Sequence, residues 1–161
     1  MATQSAYHRL LDKRDDDVVI VSALRSAITK GKKGGFKDTK PDFILSNVLK
    51  AVYTRVNLDP KLIEDIAVGN VLPPGGGASA ARMAALHAGI PNTTPLNTVN
   101  RQCSSGLTAV TQIANEIKVG QIDIGIGTSP PISPFPTHHC HRRWCRVHDA
   151  WFWFSCRPRG I

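Results

Sequence analysis

The residues best suited to covalent chemistry lie between Asn100 and Leu107, in the run Asn-Arg-Gln-Cys-Ser-Ser-Gly-Leu. Its cysteine, Cys103, is the single thiol of residues 1–127. The run stands where a short strand, Leu96 to Val99, gives way to a helix over 104–119 with Leu107, Val110, Ile113, Ala114 and Ile117 on its apolar face. A thiol placed there meets unpaired backbone N–H groups and the positive end of the helix dipole, and both favour the thiolate. Ser104, Ser105 and Gly106 are small enough to let a carbonyl approach the sulfur. Thiolates attack acyl carbonyls, so acyl transfer through a thioester is the chemistry this position predicts. The alternative is a structural cysteine packed in the core, because a strand-to-helix turn does not by itself make a thiol reactive.

The elements that must hold this turn read in order along the chain. Residues 1–17 form a polar lead-in ending in Asp15-Asp16-Asp17. Val18 to Val21 is a continuous β-branched run and predicts a buried central strand. After a Gly/Lys-rich loop over 25–38, Thr39 is the expected cap of a helix, with Pro41 in its first turn and Asp42 three residues beyond the cap. Ile44, Leu45, Val48, Leu49, Val52 and Val56 supply one apolar face, and Asn57 ends it. Asp59-Pro60 begins a short helical turn, Ile66 to Leu72 reads as a strand, and Pro73-Pro74-Gly75-Gly76-Gly77 breaks regular structure. Ala78 to Ala88 is an Ala-rich helix closed by Gly89 and Pro91, and Ile122 to Ile126 is a further strand. Strands alternating with helices predict an α/β fold, with helices layered on a buried, mostly parallel sheet.

Composition divides the chain at Gly127. Residues 1–127 carry 15 Lys+Arg against 11 Asp+Glu, whereas the last 34 residues carry five Arg and one Asp, so half of the formal charge of +8 sits in that short stretch. All nine Lys precede Gly127; all three Trp, three of the four Cys and four of the six His follow it. Neither a period of 2 nor one of 3.6 fits residues 128–161, which predicts an irregular tail. No apolar run approaches the roughly 18 residues a membrane span requires, and the start lacks a secretory leader, so a soluble chain is expected. A lone thiol in a Lys-rich segment predicts a reducing compartment. Gly75-Gly76-Gly77 lacks the Lys-Ser/Thr of a phosphate-binding loop and reads as a connection, and Lys30, Lys32 and Lys33 read as a solvated loop.

The run Asn100 to Leu107 resembles the nucleophile motif of thiolases. The likeness extends to Val18–Thr29, to Val68-Gly69-Asn70-Val71-Leu72 and to Ala81-Arg82-Met83-Ala84-Ala85, and Gly34-Gly35-Phe36-Lys37-Asp38-Thr39 is similar to the peroxisomal 3-ketoacyl-CoA branch of that family. The resemblance covers roughly residues 17–127, so residues 18–127 are expected to be part of a thiolase N-terminal domain, with 1–17 a lead-in and 128–161 a tail outside the family. It implies an acyltransferase of fatty-acid β-oxidation. Cys103 would accept the acyl group of a 3-ketoacyl-CoA with release of acetyl-CoA, and coenzyme A would collect the shortened chain. The Cys103 backbone N–H would form half of an oxyanion hole. The resemblance implies no metal or held cofactor, with coenzyme A as a substrate, acyl-CoA substrates as partners, a homodimer, and no role for nucleic acid.

Several family features have no counterpart in this sequence. The catalytic histidines and second cysteine of thiolases follow motifs absent here, which predicts a truncated fragment inactive alone. A tail arising from a shifted frame or an intron would account for residues 128–161. Two other readings stand beside the fragment: an interaction protein pairing with a full-length thiolase, and a metal- or nucleic-acid-binding protein using the tail. Cys140, Cys145 and Cys156 with His138, His139, His141 and His148 supply soft ligands but match no zinc spacing, and Arg142, Arg143 and Arg146 around Trp144 form only a short basic cluster. The resemblance implies a peroxisomal address, with the cytosol as alternative. Arg9-Leu10 begins an N-terminal signal that Asp16-Asp17 does not complete, and Arg159-Gly160-Ile161 is no C-terminal one.

Overall fold

The computed structural model describes residues 12, 14, 17–27, 29–30, 33–71, 73–129 and 153–156. The lead-in apart from Asp12, Arg14 and Asp17, and the tail His, Arg and Cys cluster between 138 and 148, lie outside these residues. Among the described residues five strands form one sheet: β1 (Val19–Ser22), β2 (Asp65–Gly69), β3 (Leu96–Val99), β4 (Ile124–Thr128) and β5 (Trp153–Cys156). Three α-helices of the described residues connect and cover it: α1 (Pro41–Arg55), α2 (Ala78–His87) and α3 (Ser105–Lys118). The strand order is β1-β5-β4-β2-β3. β2 runs parallel to both β3 and β4, whereas β5 is antiparallel to β4 and to β1. Four strands therefore point one way and β5 opposes them, which is the expected mostly parallel α/β sheet.

Alternation along β2 and β4 separates the two faces. Ile66, Val68 and Ile126 face α1 and α2 and join Leu45, Leu49, Val52, Ala84 and Ala85 in the larger core. Ala67 faces the other way and packs with Ala109, Ile113 and Ile117 of α3. On that side the strands carry glycine. A methyl on Gly125 would lie 2.8 Å from Ile113 Cγ2, and one on Gly127 would lie 2.7 Å from the Val110 Cα. The small residues let the α3 backbone rest almost directly on the sheet, and period-2 alternation of large and small residues thus builds two unequal helical layers.

Most expected elements stand within two residues of their positions, with β3 matching end to end. Three expectations are corrected. Val19, Ile20 and Val21 are 44%, 50% and 45% exposed, so β1 is an edge strand and not a buried central one. β5 lies between it and β4, so among the described residues β1 pairs on one side only. Residues 153–156, expected to be irregular, form β5. Backbone N–H and C=O groups on the edges of β1 and β4 pair with any extended segment, whatever its side-chain period. Thr39 does not cap α1: Lys40 occupies that position, without a side-chain hydrogen bond, and Pro41 begins the helix.

A side-chain hydrogen bond ties α1 to the end of α2. Asn57 ends α1 with a φ of 52°, and the Tyr53 hydroxyl donates to the Ala88 carbonyl at 2.6 Å. Tyr53→Phe leaves that buried carbonyl without its partner, and the expected loss is about 1–2 kcal/mol by urea denaturation. An unchanged midpoint would mean that the hydroxyl contributes nothing to the packing of the two helices. Among the described residues no helix is long and apolar enough to cross a membrane.

Candidate active site

The carboxyl ends of β2, β3 and β4 meet at the start of α3, and Cys103 stands in the turn between β3 and that helix. Its thiol is free and exposed, so the core-packed alternative does not hold. α3 begins at Ser105, with Ser104 as its cap residue and no side chain capping it. Cys103 thus lies just before an uncapped helix of 14 residues, whose first N–H groups point toward the turn.

The turn is held from inside. Gln102 has a φ of 51°, a left-handed conformation that costs a residue with a side chain on the order of 1–2 kcal/mol. Five hydrogen bonds stabilise it. The Gln102 N–H donates to Asn100 Oδ1 at 3.0 Å. The Ser105 hydroxyl donates to the Gln102 carbonyl at 2.6 Å and accepts from the Arg101 N–H at 2.8 Å. The Ser104 N–H donates to the Arg101 carbonyl, and the Ser105 N–H to the Gln102 carbonyl, each at 3.1 Å. The amides of residues 101, 102, 104 and 105 are thereby taken up within the turn. Among the described residues the Cys103 N–H has no acceptor of normal hydrogen-bond geometry.

Neighbouring strands fasten the turn to the sheet. A methyl on Gly69 would lie 2.5 Å from the Gly106 N and from the Ser105 carbonyl oxygen, so only glycine at the end of β2 admits the start of α3. The Ser129 hydroxyl donates to the Gly69 carbonyl at 3.0 Å, and a methyl on Gly106 would lie 3.0 Å from the Ser129 Cβ. Asn70, 5% exposed, donates through its N–H to the Val99 carbonyl at 2.8 Å and through Nδ2 to the Gly76 carbonyl at 2.9 Å. The last bond orders the loop in which Gly75, Gly76 and Gly77 all have positive φ. Sequence reasoning named Ser105 for the site only for its small size, and did not single out Ser129 or Asn70 there. Their signal is position: each lies next to the carboxyl end of a strand or at the first turn of α3.

The one imidazole among the described residues is remote from this turn in its bonding. His87 Nδ1 lies 2.8 Å from the Ser46 hydroxyl, and with Phe43 and Met83 it lines a groove of about 600 Å³ between α1 and α2 that does not include Cys103. No group of three or more His, Cys, Asp or Glu able to hold a metal occurs among the described residues.

Residues 18–128 match the family model described as thiolase, N-terminal domain. The chain belongs to the thiolase family. The thiolase match takes in β1 to β4 and all three helices, and ends at the last residue of β4, so β5 lies outside it. Over 127 residues the chain is 57% identical to the peroxisomal 3-ketoacyl CoA thiolase 1 of Petunia hybrida, a match covering 78% of this chain and 28% of that protein. The solved structure of the dimeric peroxisomal thiolase of Saccharomyces cerevisiae superposes with a TM-score of 0.71 at 55% identity, over 75% of this chain and 32% of the yeast chain. A thiolase of Ascaris suum, solved in complex with coenzyme A, superposes with a TM-score of 0.68 at 28% identity, over 83% of this chain and 35% of its own. The chain thus spans less than a third of the length of the curated thiolases it matches.

Proposed function

We propose that the chain carries the acyl-accepting step of a 3-ketoacyl-CoA thiolase, with Cys103 as nucleophile. The observation that supports this most is the turn itself: an exposed thiol whose own amide stays open while the amides around it are hydrogen-bonded. In the proposed step the Cys103 thiolate attacks the C3 carbonyl carbon of the substrate. The Cys103 N–H receives a hydrogen bond acceptor in the resulting alkoxide, as half of an oxyanion hole. The bond between C2 and C3 then breaks, its electron pair leaves with the acetyl-CoA portion, and that portion takes up a proton. The remaining acyl group stays on Sγ until the thiol of a second coenzyme A displaces it. Coenzyme A enters as substrate, and the scheme uses no metal or held cofactor.

The names of the relatives and the Ascaris complex support the substrate class, a place in β-oxidation and a peroxisomal setting. The yeast dimer supports pairing of two copies. The proton of the Cys103 thiol also needs an acceptor, and the described imidazole is bonded to Ser46 instead. A missing general base slows such a step about 100- to 10,000-fold. Slow acylation without sustained thiolysis is therefore the reading for the chain by itself. Incubation with acetoacetyl-CoA, followed by mass spectrometry of the Cys103 peptide and assay of thiolysis, tests both parts. An acetyl group on Cys103 with no turnover is expected. An unmodified Cys103 overturns the nucleophile assignment, and sustained turnover overturns the missing base.

A further inference from the structure

Ser105 is 1% exposed, and it is the first residue of α3. A hydroxyl buried at a helix start ordinarily faces inward to satisfy a single backbone group. Here it does more, because its donor goes to the Gln102 carbonyl at 2.6 Å and its acceptor takes the Arg101 N–H at 2.8 Å. Those two groups belong to the peptide units on either side of the Arg101–Gln102 pair, and Gln102 is one of two non-glycine residues with positive φ among those described. Cys103 follows at once. The direction of its N–H is set by the peptide plane between Gln102 and Cys103, whose carbonyl is the one the Ser105 hydroxyl grips.

We propose that Ser105 is the positioning residue of this site: by holding the Gln102 carbonyl it keeps Gln102 left-handed and aims the Cys103 N–H at the place where the oxyanion forms. The inference rests on the acyl-transfer reading for its functional part, whereas its conformational part does not. A carbonyl and an N–H joined through one buried hydroxyl form a clamp that no other side chain in the turn duplicates, since Asn100 accepts from the Gln102 N–H and directs its amide N–H outward to the Val71 carbonyl. Alanine at 105 keeps the close fit against Gly69 and removes both bonds. Threonine keeps the hydroxyl.

The test uses the full chain and its Ser105→Ala and Ser105→Thr variants, with two independent readings. Backbone chemical shifts report the φ of Gln102. It is expected to leave the left-handed region in Ser105→Ala and to stay there in Ser105→Thr. A left-handed Gln102 in Ser105→Ala overturns the clamp. The second reading compares Cys103 alkylation by iodoacetamide, which needs no oxyanion hole, with Cys103 acylation by acetoacetyl-CoA, which does. Ser105→Ala is expected to slow acylation at least tenfold while alkylation stays within twofold, with Ser105→Thr restoring acylation. Equal slowing of both reactions would show general loss of structure and sink the positioning role. Absence of acylation in the unaltered chain sinks the acyl-transfer reading alone, and the Gln102 conformation still decides the clamp.

Discussion

Gly69→Ala is expected to destabilise the fold by about 3 kcal/mol or more, lowering the melting temperature by about 10 °C. The added methyl meets the backbone of Ser105 and Gly106, not the end of a flexible side chain, so rotamer changes cannot relieve it. Relief requires α3 to lift from the sheet, and the helix touches β2 and β4 along its whole buried face through Ala109, Ile113 and Ile117. Gly35→Ala is the matched control, because nothing lies within 4 Å of the added carbon. It is expected to change stability by less than about 0.5 kcal/mol. Thermal unfolding of the two variants beside the parent decides the matter. Similar melting temperatures for all three would mean that α3 does not sit on β2 as closely as described. A well-folded Gly69→Ala variant with displaced α3 would also lose the alignment of the Cys103 turn.

Cys103→Ser is expected to reduce acyl-adduct formation from acetoacetyl-CoA to below about 1% of the parent chain, because a serine hydroxyl without a base is a far weaker nucleophile than a thiolate. The change removes one atom's polarisability and leaves the turn intact, since its five internal hydrogen bonds involve the backbone and the side chains of Asn100 and Ser105. Cys140, Cys145 and Cys156 provide an internal comparison within the same protein. Mass spectrometry of each cysteine peptide separates directed acylation from indiscriminate exchange with the thioester. Adducts spread evenly over all four cysteines in the parent, and persisting on three in the variant, would remove any special status from Cys103.

The fold was legible wherever a period of side chains decides burial. The apolar face of α1 from Ile44 to Val52, the Ala-rich α2 and the bounds of β3 all follow from spacing. Position within the sheet was not legible from the same signal. Val18 to Val21 reads as a strand because it is β-branched, but a continuous apolar run does not say how many neighbours the strand has. β5 escaped notice for the opposite reason: it joins through its backbone, and its residues carry no periodic pattern. At the site, the motif pointed to Cys103 and to the start of a helix. It did not show the left-handed Gln102, since glutamine has no preference for that conformation and adopts it only where Ser105 and Asn100 hold it. The glycines at 69, 125 and 127 were visible as letters, but their meaning as contact points needed the helix above them.

The place of β5 bears on the order in which the molecule is assembled. Of the described strands β1 emerges first from the ribosome, and its sheet partner β5 emerges last. Residues 18–128 can begin to collapse around β2, β3 and β4 while synthesis continues, because those pairings are complete once β4 has emerged. β1 must wait until β5 has been made, with its valines and isoleucine unpaired. Among the described strand pairings, joining it closes the longest loop, so its docking is expected to be the slowest of them and the one most open to interception by chaperones.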